Sequence, residues 1–174
     1  MTDRKIEKML DFLKGKERIG VLFVCLGNIC RSPAAEGVLK AIVKEAGDEE
    51  HWEIDSAGTG GWHVGELPDQ RMRVHARRRG YELIHHCRQV TARDFDDFDL
   101  IIPMDANNEK NLRRMAPTLE DALKIVPMAY FLDPSSHFDY VPDPYYEGAE
   151  GFEIVLDLLQ DGCQRLFSRL HHVE

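Results

Sequence analysis

Cys25 and Arg31 share one short run, Cys25-Leu26-Gly27-Asn28-Ile29-Cys30-Arg31-Ser32-Pro33, set between an apolar stretch and a helical pattern. A loop of this length at a helix start can curl its backbone N–H groups inward, and with the first helical turn it makes a concave anion site. The floor of that site would be the sulfur of Cys25. A helix N-terminus and a neighbouring arginine favour thiolate over thiol, and thiolate is the nucleophile. Arg31 has the planar fork that matches two phosphoryl oxygens, which lysine lacks. Ser32 can give a hydroxyl hydrogen to the sulfur, favouring its charged form. Gly27 relieves crowding, Asn28 tolerates a left-handed backbone, and Pro33 suits a first helical turn. The chemistry expected of this run is nucleophilic attack on phosphorus.

Transfer of a phosphoryl group to sulfur needs a proton for the departing oxygen, and Asp143 in Asp143-Pro144-Tyr145-Tyr146 is the candidate donor. Pro142 and Pro144 stiffen the chain on either side of it. Asp133-Pro134 is a similar dipeptide without the two aromatic residues, and it ranks second. Tyr145, Tyr146 and Trp62 can wall a narrow slot for a phenyl ring, with Leu26 as an apolar floor beside the cysteine. A deep slot selects phosphotyrosine over phosphoserine, whose shorter side chain does not reach the sulfur.

Alternating strands and helices must position these groups. Apolar spacing predicts a helix over 1–13 and a strand buried on both faces over 19–25. It then predicts a helix over 32–45, a strand over 51–56, a helix over 68–79 and a strand over 98–104. A helix over 106–115, a short fourth strand over 124–126 and a final helix over 151–171 complete the pattern. The stripe of that last helix is Phe152, Val155, Leu156, Leu159, Cys163, Leu166 and Leu170. Such alternation implies an open parallel α/β sheet that binds ligands beyond the carboxyl ends of its strands, where Cys25, Ser56 and Met104 fall.

The chain of 174 residues is expected to hold an N-terminal helical extension, 1–18, and one catalytic domain, 19–174. A formal net charge of −9 argues against binding nucleic acid or an anionic membrane, and no apolar run is long enough to span a bilayer. An anionic substrate must then be attracted locally, by Arg31 and backbone dipoles. Arg71, Arg73, Arg77, Arg78 and Arg79 are expected to form a solvated helix face, and His171-His172 a solvated tail. Four scattered cysteines do not make a disulfide scaffold, and no Cys/His spacing resembles a zinc site. The leading residues lack a signal peptide's apolar centre, so a cytoplasmic location is expected.

Together these residues resemble the low-molecular-weight protein tyrosine phosphatase family, from about Ile19 to about Leu170. The run from Val24 to Pro33 matches the family's phosphate loop. The resemblance extends to Ile54-Asp55-Ser56-Ala57-Gly58-Thr59, Arg88-Gln89-Val90-Thr91, Met104-Asp105 and Asp143-Pro144-Tyr145-Tyr146. It implies a four-stranded parallel open sheet with helices on both faces, a three-layer α/β/α arrangement with the phosphate loop after the first strand. It also implies a phosphocysteine at Cys25, phosphoryl binding by Arg31, and Asp143 as acid and then base. Leu26, Gly27, Asn28, Ile29, Cys30, Ser32, Trp62, Tyr145 and Tyr146 would surround the substrate, with Ser56 and His85 supporting the loop. Cys30 would trap oxidised Cys25 as a reversible disulfide. The implied partners are phosphotyrosine-containing proteins, with phosphate or sulfate as site ligands and the chain a monomer or weak dimer. Neither metal nor organic cofactor is implied. The segment before Arg18 extends past the family's usual start.

Two rivals share this scaffold. A phosphoarginine phosphatase would carry Thr where Ile29 stands. An arsenate reductase would need further cysteines on a mobile segment, a pattern that Cys87 and Cys163 do not match.

Overall fold

Strand β1, Ile19–Cys25, is buried along its whole length because its side chains alternate between two apolar layers. Ile19, Val21, Phe23 and Cys25 enter one core, while Leu22 and Val24 enter the other. The computed structural model describes residues 2–145 and 148–172. In it β1 pairs in parallel with β2, Trp52–Gly58, over the register Ile19↔Trp52 to Cys25↔Gly58. Its other edge pairs in parallel with β3, Leu100–Pro103, from Val21↔Leu100 to Val24↔Pro103. The sheet order is β2-β1-β3.

The larger core lies between the sheet and three helices, α1 (Asp3–Lys14), α2 (Arg31–Glu45) and α7 (Ala149–Leu170). The residues expected on the α7 stripe are all buried, and so are Leu158, Gly162 and Phe167, because neighbours crowd this helix on several sides. At Gly162 a Cβ would come within 2.4 Å of the Met128 side chain, so a turn at Met128–Phe131 packs directly on helix backbone. Helix α1 joins the same core through Ile6, Leu10 and Leu13, on one face at helical spacing. Thr2 caps its start, and Arg169 of α7 reaches Glu7 and Asp11 on it. The smaller core, on the opposite face, packs Phe95 of α4 (Asp94–Asp97) and Leu112 of α5 (Ala106–Met115) against Leu22, Val24 and Ile101. A short α6, Leu119–Ala122, follows, and α3, Gln70–Arg78, lies against α7.

The fourth strand does not form among the described residues; the sheet has three strands, and only a single parallel bridge joins Ile101 to Ile125. The N–H groups of Lys124 and Ile125 still donate back to the carbonyls of Asp121 and Ala122 in α6, and Pro127 has no N–H for a ladder, so pairing stops after one residue. The basic cluster is not simply a solvated face either. Arg79 is bound to Glu153, Asp157 and Gln160 of α7. The expected tail at His171 is likewise anchored: its Nδ1 lies 3.1 Å from Asp48 Oδ2 and its ring stacks on Phe167. No helix among the described residues is long and apolar enough to cross a membrane.

Candidate active site

The carboxyl end of β1 delivers Cys25, and α2 begins at Arg31, so the loop between them sits over the strand ends as α/β geometry requires. Asn28 bridges the turn with φ of +58°, the left-handed conformation that asparagine tolerates. Among the described residues, the backbone N–H groups of Leu26, Gly27, Asn28, Ile29 and Cys30 donate to nothing, which leaves a contiguous run of unpaired donors. The loop backs on Gly58 of β2, where a Cβ would lie 2.7 Å from the Leu26 carbonyl oxygen and 3.0 Å from Asn28 N. Only a glycine permits that approach.

The side chain of Asn28 is buried behind the loop and fully bonded. Its Nδ2 donates to Ser32 Oγ at 2.8 Å and to Ser56 Oγ at 3.0 Å. Its Oδ1 accepts from Arg88 N at 2.9 Å and from His85 Nε2 at 3.0 Å. Ser56 Oγ passes its own hydrogen to Glu36 Oε1 at 2.6 Å. Ser32 Oγ, having accepted from Asn28, retains a hydrogen to give. Cys25 Sγ at 3.0 Å is nearer to it than the Ala57 carbonyl at 3.4 Å. A buried polar network with every member satisfied is rigid, and this one ends on the sulfur. Glu36, Asp55 and His85 bring ligand-type atoms within 4.8 Å of one another, but each is already engaged. Glu36 holds Lys40 and Ser56, Asp55 holds Arg88, and His85 holds Asn28, so the cluster buttresses the loop.

Arg31 is buried at its side chain and fixed from one edge. Its Nη1 donates to Asp105 Oδ2 at 2.7 Å and to the Val141 carbonyl at 2.9 Å, and its Nη2 lies 3.8 Å from Asp143 Oδ2. Asp105 is itself pinned by capping α5 through Asn108. Burial opposes the charge on Arg31, but Cys25, Asp105 and Asp143 outweigh it and push its pKa up. The other thiols are held neutral. Burial, then the charges of Asp69, Cys25 and Asp143, push Cys30 far above the ordinary thiol range. Burial, then Cys25 and Glu66, push Cys87 to about 11.

A cavity of about 290 Å³ opens over this loop. Cys25, Leu26, Gly27, Ile29, Cys30, Arg31, Trp62, Asp143 and Tyr145 line it together. Asn28, Ser32, Ser56 and His85 stand behind the loop rather than on the cavity wall, and Tyr146 lies outside the described residues. Asp133 is elsewhere: it caps a short turn through Ser135 and pairs with Arg165. His63 also lines the cavity, its ring edge 3.2 Å from the position a Cβ on Gly27 would take and its Nδ1 2.7 Å from Glu66. Sequence reasoning gave His63, Asp105, Val141, Cys87 and Arg88 no part in the site. Asp105 and Arg88 left a signal as parts of segments that resemble the family, and Asp105 also as an acidic helix cap placed directly after a strand end. A thiol facing unpaired donors, a guanidinium and a carboxyl group can take up a phosphoryl group and protonate its leaving atom.

The model of the family described as low molecular weight phosphotyrosine protein phosphatase matches residues 20–173. The chain belongs to that family. A low molecular weight protein-tyrosine-phosphatase of Bacillus subtilis is 43% identical over 153 residues, covering 87% of this chain and 96% of that one. The structure of a protein tyrosine phosphatase from Entamoeba histolytica with Hepes in the active site superposes with a TM-score of 0.84 at 42% identity. That match covers 87% of this chain and 96% of that one. A Drosophila arginine phosphatase has the same fold, with a TM-score of 0.79 and 34% identity over 85% of this chain and 95% of that one. Helix α1 lies outside the residues that the family model matches.

Proposed function

We propose that this enzyme hydrolyses phosphotyrosine monoesters in proteins, with Cys25 as nucleophile, Arg31 as phosphoryl ligand and Asp143 as proton donor. The thiolate attacks phosphorus as the tyrosyl oxygen leaves. Asp143 gives that oxygen its proton, so tyrosine departs neutral and the phosphoryl group remains on sulfur. The ionised Asp143 then takes a proton from water, whose oxygen attacks the phosphocysteine. The P–S bond breaks, phosphate leaves and the thiolate returns. Arg31 and the unpaired loop N–H groups meet the charge spread over the equatorial oxygens. Ser32 stabilises the sulfur when it is attacking and again when it is leaving.

The observation that carries this reading is the convergence of Cys25, Arg31 and Asp143 on one cavity, with Arg31 Nη2 lying 3.8 Å from Asp143 Oδ2. Leu26, Ile29, Trp62 and Tyr145 make the walls apolar, as a phenyl ring requires. Ile29 supplies no hydroxyl for a guanidinium, which favours an aryl ester over phosphoarginine on this scaffold. Four cysteines, all buried and free, suit a reducing compartment, and we place the enzyme in the cytoplasm, acting as a monomer or weak dimer.

Parallel rates with phosphotyrosine, phosphoserine, phosphoarginine and arsenate test the reading. Phosphotyrosine should be turned over fastest by at least tenfold; a preference for phosphoarginine or for arsenate reduction overturns it.

A further inference from the structure

Arg71 was expected to lie on a solvated face, yet its guanidinium is placed between two aromatic rings. Its central carbon lies 5.3 Å from the centroid of Tyr145 and 5.0 Å from that of Phe152. Asp69 grips the other edge of the fork, Oδ1 accepting from Nε at 3.1 Å and Oδ2 from Nη2 at 3.0 Å. Asp69 is not an ordinary surface carboxylate. Its side chain caps α3, and its backbone N–H donates to the Ile29 carbonyl of the phosphate loop at 2.7 Å. Phe152 is buried in the core at the start of α7. Arg71 therefore joins three bodies: the phosphate loop through Asp69, the core through Phe152, and the cavity wall through Tyr145.

We propose that Arg71 is a positioning and specificity-determining residue that fixes Tyr145 as the aryl wall at a set distance from the phosphate loop. This rests on the reading of the cavity as a phosphotyrosine site. A guanidinium is suited to the task because it is planar, stacks on rings and still presents a bidentate edge to a carboxylate. Arg71 does not line the cavity, so it acts on substrates through the residues it holds, and of these Tyr145 is the one that presents a ring to the cavity. The wall lies on the loop of Asp143, which is part-exposed, and a cation seated on a core phenylalanine gives that loop a fixed reference. The consequence is discrimination. A substrate with a ring gains from an ordered wall, whereas a bare phosphoryl compound does not.

Arg71→Met keeps the aliphatic stem and removes the charge. It should raise KM for phosphotyrosine about fivefold, the scale of a ring–cation contact, with kcat within about twofold. Acetyl phosphate, which has no ring, should keep its KM, and inorganic phosphate should inhibit both enzymes equally. In a Tyr145→Ala background the Arg71→Met change should add nothing further. An unchanged KM for phosphotyrosine overturns the assignment, and so does weakening of acetyl phosphate and inorganic phosphate in step with it. Additive losses in the double variant overturn it as well. If the unaltered enzyme does not hydrolyse phosphotyrosine, the functional reading itself fails. If it does and Arg71→Met behaves identically, only the role of Arg71 fails.

Discussion

The two halves of this site are built differently. The phosphate loop is sunk into the strand ends, and the side chain of Arg31 is 3% exposed with both neighbours of its Nη1 in place. Asp143, the proposed acid, stands on a proline-flanked loop, its side chain 42% exposed, and one of its oxygens accepts from the N–H of Tyr145 two residues on. The first half has its charges and donors arranged before substrate arrives, which is where electrostatic stabilisation is most effective. The second half needs less: a proton donor must reach one oxygen and must remain open to water for the second step. Under the proposed mechanism, binding would be a property of the buried half, and sensitivity to the leaving group a property of the exposed half.

That division can be broken experimentally. Cys25→Ser should lose turnover of para-nitrophenyl phosphate altogether while still binding inorganic phosphate by calorimetry, because the donors and Arg31 are untouched. Residual turnover would show that the buried half works without its sulfur. Asp143→Ala should slow phenyl phosphate about a hundredfold, within the range for a general acid, and para-nitrophenyl phosphate far less. Equal losses in steady-state rates would take Asp143 out of the proton-transfer step.

Asn28→Ala attacks the frame of the buried half. It strands the N–H of Arg88 and forces alanine into a left-handed backbone, so denaturant unfolding should register a loss of about 2 kcal/mol. The leaving-group dependence should survive among the remaining active molecules; its disappearance would mean that the two halves are not separable. The smallest effect expected is alkaline. Burial raises the Cys87 thiol from 9.0 to about 11. The unfolded chain therefore gives up this proton before the folded one does. Stability is complete below pH 9 and is lost as pH rises through 11, which the denaturant midpoint should follow. Cys30 and Cys163 are raised by burial as well, so Cys87→Ser should make the decline shallower without removing it.

Local chemistry was legible in the sequence and long-range fastening was not. The run from Cys25 to Pro33 announced its loop because each residue answers a local demand: a turn, a left-handed backbone, a helix start. The prolines beside Asp143 marked it as a candidate, and the structure brings it to the cavity of Cys25 and Arg31. Nothing local tells Arg31 that Asp105 and Val141 will hold it, since those partners arrive only when β3 and the acid loop reach the same sheet edge. The same holds for Arg71, whose spacing on α3 is that of a surface residue and whose ring partners come from the far end of the chain. The fourth strand was misread because apolar character at Ile125 and Val126 signals burial, which they have, and not ladder pairing, which the adjoining turn and Pro127 cut short.

Gly58 closes the account of how deep the pocket is. The loop rests against this residue as a lid rests on a hinge pin with no head. Adding one methyl group would intrude on the Leu26 carbonyl and on the backbone of Gly27 and Asn28, so the loop could no longer seat this close to the strand ends. The depth at which the loop is seated is thus set by an atom the chain does without.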